Sequence, residues 1–212
     1  DGSGKSTHVA LVKEYLCKTG HSVLQIKLPH YEDESSVLVR KYLAGDYGSM
    51  PSDVNAYAAS SFFSVDRYSG FKTRWGEAYL SGSTILCDRY TTSNAYHQMT
   101  KLPESEWDEY LDWLFDFEYG KLGIPAPDCV IYLNMPVEVS QRLMSERYSG
   151  DENKKDVHER NVQYLLSCRK AALYAAEKLG WCVIDLCENG QPRSIEQNSA
   201  AVCAAVERAI GK

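Results

Sequence analysis

Long apolar runs are missing from this chain: none approaches the roughly 18 consecutive apolar residues that a membrane-spanning helix needs. No basic leader with a short apolar core, of the kind that directs secretion, is visible either. Low-complexity tracts and internal repeats are also lacking, which excludes solenoids and fibrous arrays. Positive charge is in short supply. Lys and Arg number 23 against 29 Asp and Glu, a net charge of −6, which argues against a partner held by broad nucleic-acid phosphate contacts. The seven cysteines (Cys17, Cys87, Cys129, Cys168, Cys182, Cys187 and Cys203) are odd in number and scattered singly, mostly within apolar stretches. That spacing excludes a disulfide framework and a zinc site. It points to reduced core thiols in a cytoplasmic protein.

What remains is the composition of an ordinary globular chain, 44% hydrophobic, with room for one well-buried α/β domain over residues 1–212. Helical and strand patterns alternate, as in a parallel sheet with helices on both faces. Helices are predicted over about 5–18, 34–43, 52–80, 105–119, 136–148 and 194–210, with another resuming near 156. Strands are predicted at 22–28, 84–87, 129–133 and 181–186. Polar breaks between them are too short to be linkers.

The first seven residues, Asp1-Gly2-Ser3-Gly4-Lys5-Ser6-Thr7, read as the back half of a phosphate-binding loop running into a helix. Glycines let successive backbone N–H groups turn inward on an anion. Lys5 adds a point charge for the outer phosphates, and the Ser6 hydroxyl can reach a magnesium ion. The following helix aims its positive end at the same place. The full pattern needs an earlier glycine and a strand before it, so a first strand is expected upstream of Asp1, giving five parallel strands and an N-terminally truncated domain.

Ligands of such sheets sit beyond the carboxyl ends of the strands. Pro29-His30-Tyr31 follows the first predicted strand, Asp88-Arg89-Tyr90 the second, and Asn134-Met135-Pro136 the third, leading to Arg142 and Arg147. A loop at 187–195 follows the last. Asp88 suits a magnesium-side carboxylate and Arg89 bidentate phosphate recognition, the alternative being a plain ion pair at a strand end. Phosphoryl transfer to another phosphate needs positioning and charge neutralisation rather than a strong base. No His-Arg-Asp catalytic loop is present, and no Asn-Lys-x-Asp guanine-reading sequence. The excess of cations at the strand ends therefore favours a nucleoside monophosphate kinase.

In Asp-Gly-Ser-Gly-Lys-Ser-Thr (1–7), Pro-His-Tyr (29–31), Phe-Ser-Val-Asp-Arg (63–67), Asp-Arg-Tyr-Thr-Thr-Ser-Asn (88–94), Pro-Ala-Pro-Asp (125–128) and Asp-Val-His-Glu (156–159), the chain resembles the thymidylate kinases over essentially its whole length. The resemblance implies a P-loop NTPase-type α/β fold with a five-stranded parallel sheet and a mobile lid at about 147–156. It implies transfer of a phosphoryl group from ATP to dTMP, with Mg2+ as cofactor, in a homodimer that binds neither nucleic acid nor membrane. Gly2, Ser3, Gly4, Lys5, Ser6 and Thr7 would hold ATP, with Arg142 beside the adenine and Ser6 and Asp88 toward the metal. Asp1 would order the transfer near the acceptor sugar. Arg147 would close over the phosphates, with Lys154 and Lys155 as competitors.

On the acceptor side, Phe63 would stack on thymine while Arg67, one turn later on the same helix face, reads its O4 edge. Phe62 leaves open which ring does this. Arg89 would hold the dTMP phosphate, and Tyr31, Ser93, Asn94, His97 and Gln98 would line the pocket. Two departures from the family pattern stand out: His30 where many relatives carry an arginine, and His97 where they carry a tyrosine or phenylalanine. Tyr96 could take the second role only if the helix register shifted by one. His8, His21 and His158 read as surface or capping residues. The aromatic run from Trp107 to Phe117 reads as a helix on the core, or as part of a subunit interface. Competing functions are a deoxynucleoside kinase, which lacks its Glu-Arg-Ser-type base here, and a sensor that binds nucleotide without turnover.

Overall fold

The computed structural model describes residues 3–48, 50–147 and 162–211, without the side chains of residues 51 and 147. The chain gathers into two compact units, one of Leu16–Ala126 and one of Asp1–Tyr15 with Pro127–Lys212; the boundary in the sequence falls inside the first helix, α1 (Lys5–Lys18). On α1, His8, Val12 and Leu16 are buried at a spacing of four, so one stripe of the helix faces inward. His8 is thus not a surface residue: it is 4% exposed and its Nδ1 lies 3.0 Å from Ser199 Oγ. Cys17, one step of about 100° round from Leu16, is exposed, as is Cys129, which corrects the expectation of core thiols at those two positions.

In the unit of Leu16–Ala126, strand β1 (Val23–Lys27) pairs in parallel with β2 (Thr84–Asp88), Val23 opposite Thr84 and Lys27 opposite Asp88. Leu28 N–H donates to Asp88 O beyond the ladder, which brings Pro29-His30 and Arg89 to the same sheet end. The crossover carries α2 (Val37–Ala44), α3 (Ala56–Gly70), a π-helical stretch (Phe71–Trp75) and α4 (Gly76–Leu80). The helical pattern predicted from residue 52 starts later because Asn55 caps α3, its side chain accepting from Ala58 N–H at 2.8 Å. The π stretch closes on Gly76, where an added Cβ would sit 2.3 Å from Phe71 O. Beyond β2 come α5 (Thr91–Met99), α6 (Trp107–Phe115) and a second π-helical stretch (Asp116–Lys121). Ile26, Leu28, Trp75, Tyr90 and Ile124 form an apolar cluster under the strands. The aromatic run is mainly core: Trp107, Tyr110, Leu111 and Leu114 are buried, and Trp113 stacks on Phe117 at 5.4 Å.

In the other unit, β3 (Ile131–Asn134) pairs in parallel with β4 (Cys182–Asp185), Asn134 opposite Asp185. α7 (Val137–Arg147) follows β3, and α8 (Val162–Leu179) precedes β4. Ala171, Ala172, Ala175 and Ala176 are buried on α8, a run of small side chains that lets neighbouring backbone approach closely. The segment read as a loop after the last strand is a hairpin, β5 (Cys187–Glu188) antiparallel to β6 (Gln191–Pro192). Its turn residues Asn189 and Gly190 both have positive φ, 50° and 75°, the combination that a tight primed turn requires. Last comes α9 (Ile195–Ile210), capped by Ser194 and Gln197 reciprocally. Among the described residues no helix is long and apolar enough to cross a membrane.

Candidate functional site

At the N-terminus of α1 the described part of the expected loop leads directly into the helix. Gly4 has φ 71°, the left-handed region that a side chain disfavours, and His8 N–H donates to Gly4 O at 3.0 Å to start the helix. Lys5 and Ser3 are half-buried, Ser6 and Thr7 are exposed, and no acidic residue in the first turn opposes the positive helix end. Asp1, Gly2, Lys154, Lys155 and the Arg147 side chain lie outside the described residues, as does nearly all of the expected lid.

In the same unit, Arg142 is exposed on α7 and its Nη2 lies 3.4 Å from Gln191 Oε1 on β6. The structure therefore brings the expected adenine-side arginine to the hairpin at 187–192. Asn134 and Asp185 end adjacent strands and are joined by a 2.6 Å hydrogen bond from Asn134 Nδ2. Arg169 Nε donates to Asn134 Oδ1 at 2.9 Å. Nothing in the local sequence of α8 marks Arg169, because its partner lies 35 positions away.

The residues expected on the acceptor side belong to the unit of Leu16–Ala126. Asp88 is 3% exposed at the end of β2, and Arg89 beside it has φ 72°, an unusual conformation for a residue with a side chain. That backbone turns the chain sharply into α5, and Arg89 Nη1 lies 3.2 Å from Tyr96 OH and 3.4 Å from His97 Nε2. Burial works against the charge of Arg89, but the oxygens of Tyr96, Asp88 and Tyr31 outweigh it and raise its pKa. Ser93 Oγ is 3.4 Å from the same Tyr96 OH, and Tyr31 is largely exposed. Tyr96 and His97 thus both reach Arg89, their ring centroids 4.5 Å apart.

Asn94 and Gln98 are buried on α5 together with Thr91, Ala95 and Met99. Gln98 Oε1 is buried and accepts no hydrogen bond from the described residues. Asn94 meets Arg67 at a carboxylate that the sequence reading missed. Glu118 is fully buried and pairs side-on with Arg67, at 2.6 Å to Nε and 2.6 Å to Nη2. Ser64 Oγ and Thr91 Oγ1 also donate to it, at 2.8 and 2.7 Å. Phe63 is half-buried and meets the Tyr42 ring edge-on at 6.2 Å; Phe62 touches Tyr42 and Tyr47. The expected pocket residues therefore form two groups, one around Arg89 and one around Glu118.

His30 is held at the strand end by its own N–H, which donates to Asp66 Oδ2 at 2.9 Å, while Ser35 Oγ donates to Asp66 Oδ1. Its ring lies against Gly70, where an added Cβ would come within 3.4 Å of both His30 Cδ2 and Trp75 Nε1. A surface hollow of about 480 Å3 lined by Asp33, Glu34, Ser35, Ser69, Thr73 and Arg74 collects none of the expected residues, and its one cation pairs with Asp33. Among the described residues no cluster of three or more His, Cys, Asp or Glu could hold a metal ion. A magnesium ion that keeps waters and phosphate oxygens needs only one or two protein oxygens.

A family model described as "Thymidylate kinase" matches residues 1–194. A thymidylate kinase of Mycobacterium tuberculosis is 28% identical over 179 residues, covering 82% of this chain and 80% of that protein. A probable thymidylate kinase of Pyrococcus abyssi is 30% identical over 147 residues, covering 69% and 67%. One from Rhodopirellula baltica is 24% identical over 204 residues, 95% of this chain and 76% of the relative. The match over residues 1–194 means that the chain belongs to the thymidylate kinase family.

Proposed function

We propose that this chain transfers the γ-phosphoryl group of ATP to dTMP, giving ADP and dTDP for nucleotide biosynthesis. The observation that carries the reading is the family match over residues 1–194. The geometry agrees with it on chemical grounds. A phosphate acceptor is already an anion, so the protein must supply cations and orientation rather than a base. Arg89 is suited to this, being raised in pKa and fixed at a strained strand-end corner. It holds the dTMP phosphate, with Tyr31, Ser93 and His97 around it.

Phe63 stacks on the base, Arg67 donates to O4, and Asn94 and Gln98 border the base and sugar. Gly2, Ser3, Gly4, Lys5, Ser6 and Thr7 take the phosphates of ATP, and Arg142 the adenine. Asp1 and Arg147 complete the transfer site, Arg147 from a lid at about 147–156 that excludes water. The Ser6 hydroxyl and the Asp88 carboxylate are hard oxygen donors of the kind magnesium prefers. When bound, the ion neutralises charge on the phosphates. The five-stranded sheet, the homodimer and the cytoplasmic location belong to the same proposal. Supporting the dimer, Leu38 on α2 and Val65 and Tyr68 on α3 are exposed apolar side chains.

Radiolabelled ATP offered with dTMP, dUMP, UMP or thymidine tests the reading. Label in dTDP is expected. Transfer to thymidine alone would make the chain a nucleoside kinase, and bound ATP with no transfer to any monophosphate would make it a sensor.

A further inference from the structure

We infer that Glu118 is the residue that sets base selectivity in the acceptor pocket, by fixing which edges of Arg67 and Asn94 meet the nucleotide. The inference rests on the acceptor pocket proposed above and deepens it.

The carboxylate is wholly enclosed, and its two oxygens are saturated by donors from two helices. Oε1 accepts from Ser64 Oγ at 2.8 Å, Arg67 Nη2 at 2.6 Å and Asn94 Nδ2 at 3.4 Å. Oε2 accepts from Arg67 Nε at 2.6 Å and Thr91 Oγ1 at 2.7 Å. Ser64 and Arg67 come from α3, Thr91 and Asn94 from α5, so one side chain ties the two helices at the level of the pocket. Burial works against the charge of Arg67, and the Glu118 carboxylate outweighs it and raises the pKa.

A side-on bidentate pair stops the planar guanidinium from swinging about its Cδ–Nε bond. Glu118 engages Nε and Nη2, so the edge that Arg67 turns elsewhere is Nη1, a donor only. Asn94 commits its Nδ2 to Glu118 and to Ser60 O at 3.2 Å, which leaves Oδ1, an acceptor. Tyr110 OH donates to Asn94 O and is 2.6 Å from Ser60 Oγ, so the α5 backbone is anchored at the same place.

One donor edge and one acceptor edge held by a common carboxylate match a base presenting a carbonyl oxygen beside a ring N–H, as a 4-oxo pyrimidine does. A 4-amino pyrimidine presents the reverse, an amino donor beside a ring acceptor, and meets donor with donor and acceptor with acceptor. Unpaired buried polar groups are what makes such rejection strong. Without Glu118, Arg67 could rotate and Asn94 would keep only its bond to Ser60 O, so the code would loosen. Glu118 touches no substrate in this scheme: it is a positioning residue acting through Arg67 and Asn94.

The test compares wild type and Glu118→Gln with ATP and either dTMP or dCMP, alongside circular dichroism and ATP affinity. The wild type serves as the check on the underlying reading, since a wild type that phosphorylates no dTMP defeats the function and not this inference. In folded Glu118→Gln, the KM for dTMP should rise about tenfold or more with a smaller change in kcat, since a lost substrate-orienting contact acts mainly on binding. The dTMP-to-dCMP preference should fall by a similar factor while ATP affinity stays unchanged. In an Arg67→Met background, Glu118→Gln should add little further loss in KM, because the two act as a unit.

A folded Glu118→Gln enzyme with KM and base preference within twofold of wild type would overturn the inference. Should that variant not fold, Thr91→Val removes one donor from Oε2 and keeps the buried ion pair. Its dTMP-to-dCMP preference should then drop about threefold, in line with one hydrogen bond of modest worth. An unchanged preference there would overturn the inference equally.

Discussion

Arg89 combines a backbone conformation that side chains avoid with a cation raised in pKa by neighbouring oxygens, which suits the phosphate contact proposed for it. Replacing it with alanine should raise the KM for dTMP by about two orders of magnitude, as loss of a charge-assisted phosphate contact does, and leave ATP affinity within twofold. Isothermal titration with each nucleotide separates the two effects. Cys87 gives a second prediction. Burial pushes its thiol up to about 12, so at pH 8 only about one molecule in ten thousand carries the thiolate there. Iodoacetamide followed by peptide mass spectrometry should label the exposed Cys17 and Cys129 and leave Cys87 unmodified in the native protein.

Lys101 is a third case, decided by sign. Its Nζ donates to Tyr42 OH at 3.0 Å and to Val54 O at 2.8 Å, and burial pulls its pKa down to about 8 from 10.5. Between those values the unfolded chain binds more protons at this site than the folded one, so stability must rise with pH there. Chemical denaturation of wild type and Lys101→Met from pH 7 to 10 should show their difference moving in favour of wild type above about pH 8.

At the scale of elements, helix starts were the most legible features, because their signals are contiguous. Ser194 sits just before an apolar-periodic run and its side chain accepts from Gln197 N–H, whereas the start predicted at 52 moves to the cap at Asn55, whose side chain accepts from Ala58 N–H. Substituting Ser194 by alanine breaks the reciprocal cap with Gln197 and should cost about 1 kcal/mol, readable as a lower midpoint in urea with unchanged slope. The continuous helix predicted over 52–80 differs from the structure at its start, where a 3-10 turn spans Pro51–Asp53, and at the π-helical stretch Phe71–Trp75, since a change of one residue per turn leaves little periodic trace. The Asn189-Gly190 hairpin was overlooked within a stretch read as loop, although that dipeptide is its signal.

For the whole molecule, two parallel strand pairs and their helices follow the alternation read from hydrophobic patterning. Sedimentation at micromolar concentration should give twice the 23.9 kDa chain mass if Leu38, Val65 and Tyr68 serve a homodimer, and one chain mass would remove that part of the proposal. The acidic balance leaves local cations to gather the phosphates, which is why net charge alone excluded partners but named none.

The sequence by itself determined the helix start at Gly4 and Lys5, the strand ends at His30 and Arg89, and the identity of the family, because each is written in neighbouring residues. Tertiary structure alone decided that Arg67 is held by Glu118, 51 positions away, and that Tyr96 and His97 share one arginine nitrogen. A buried charge needs a partner, but which one it receives depends on the space between packed helices. No local pattern encodes that distance.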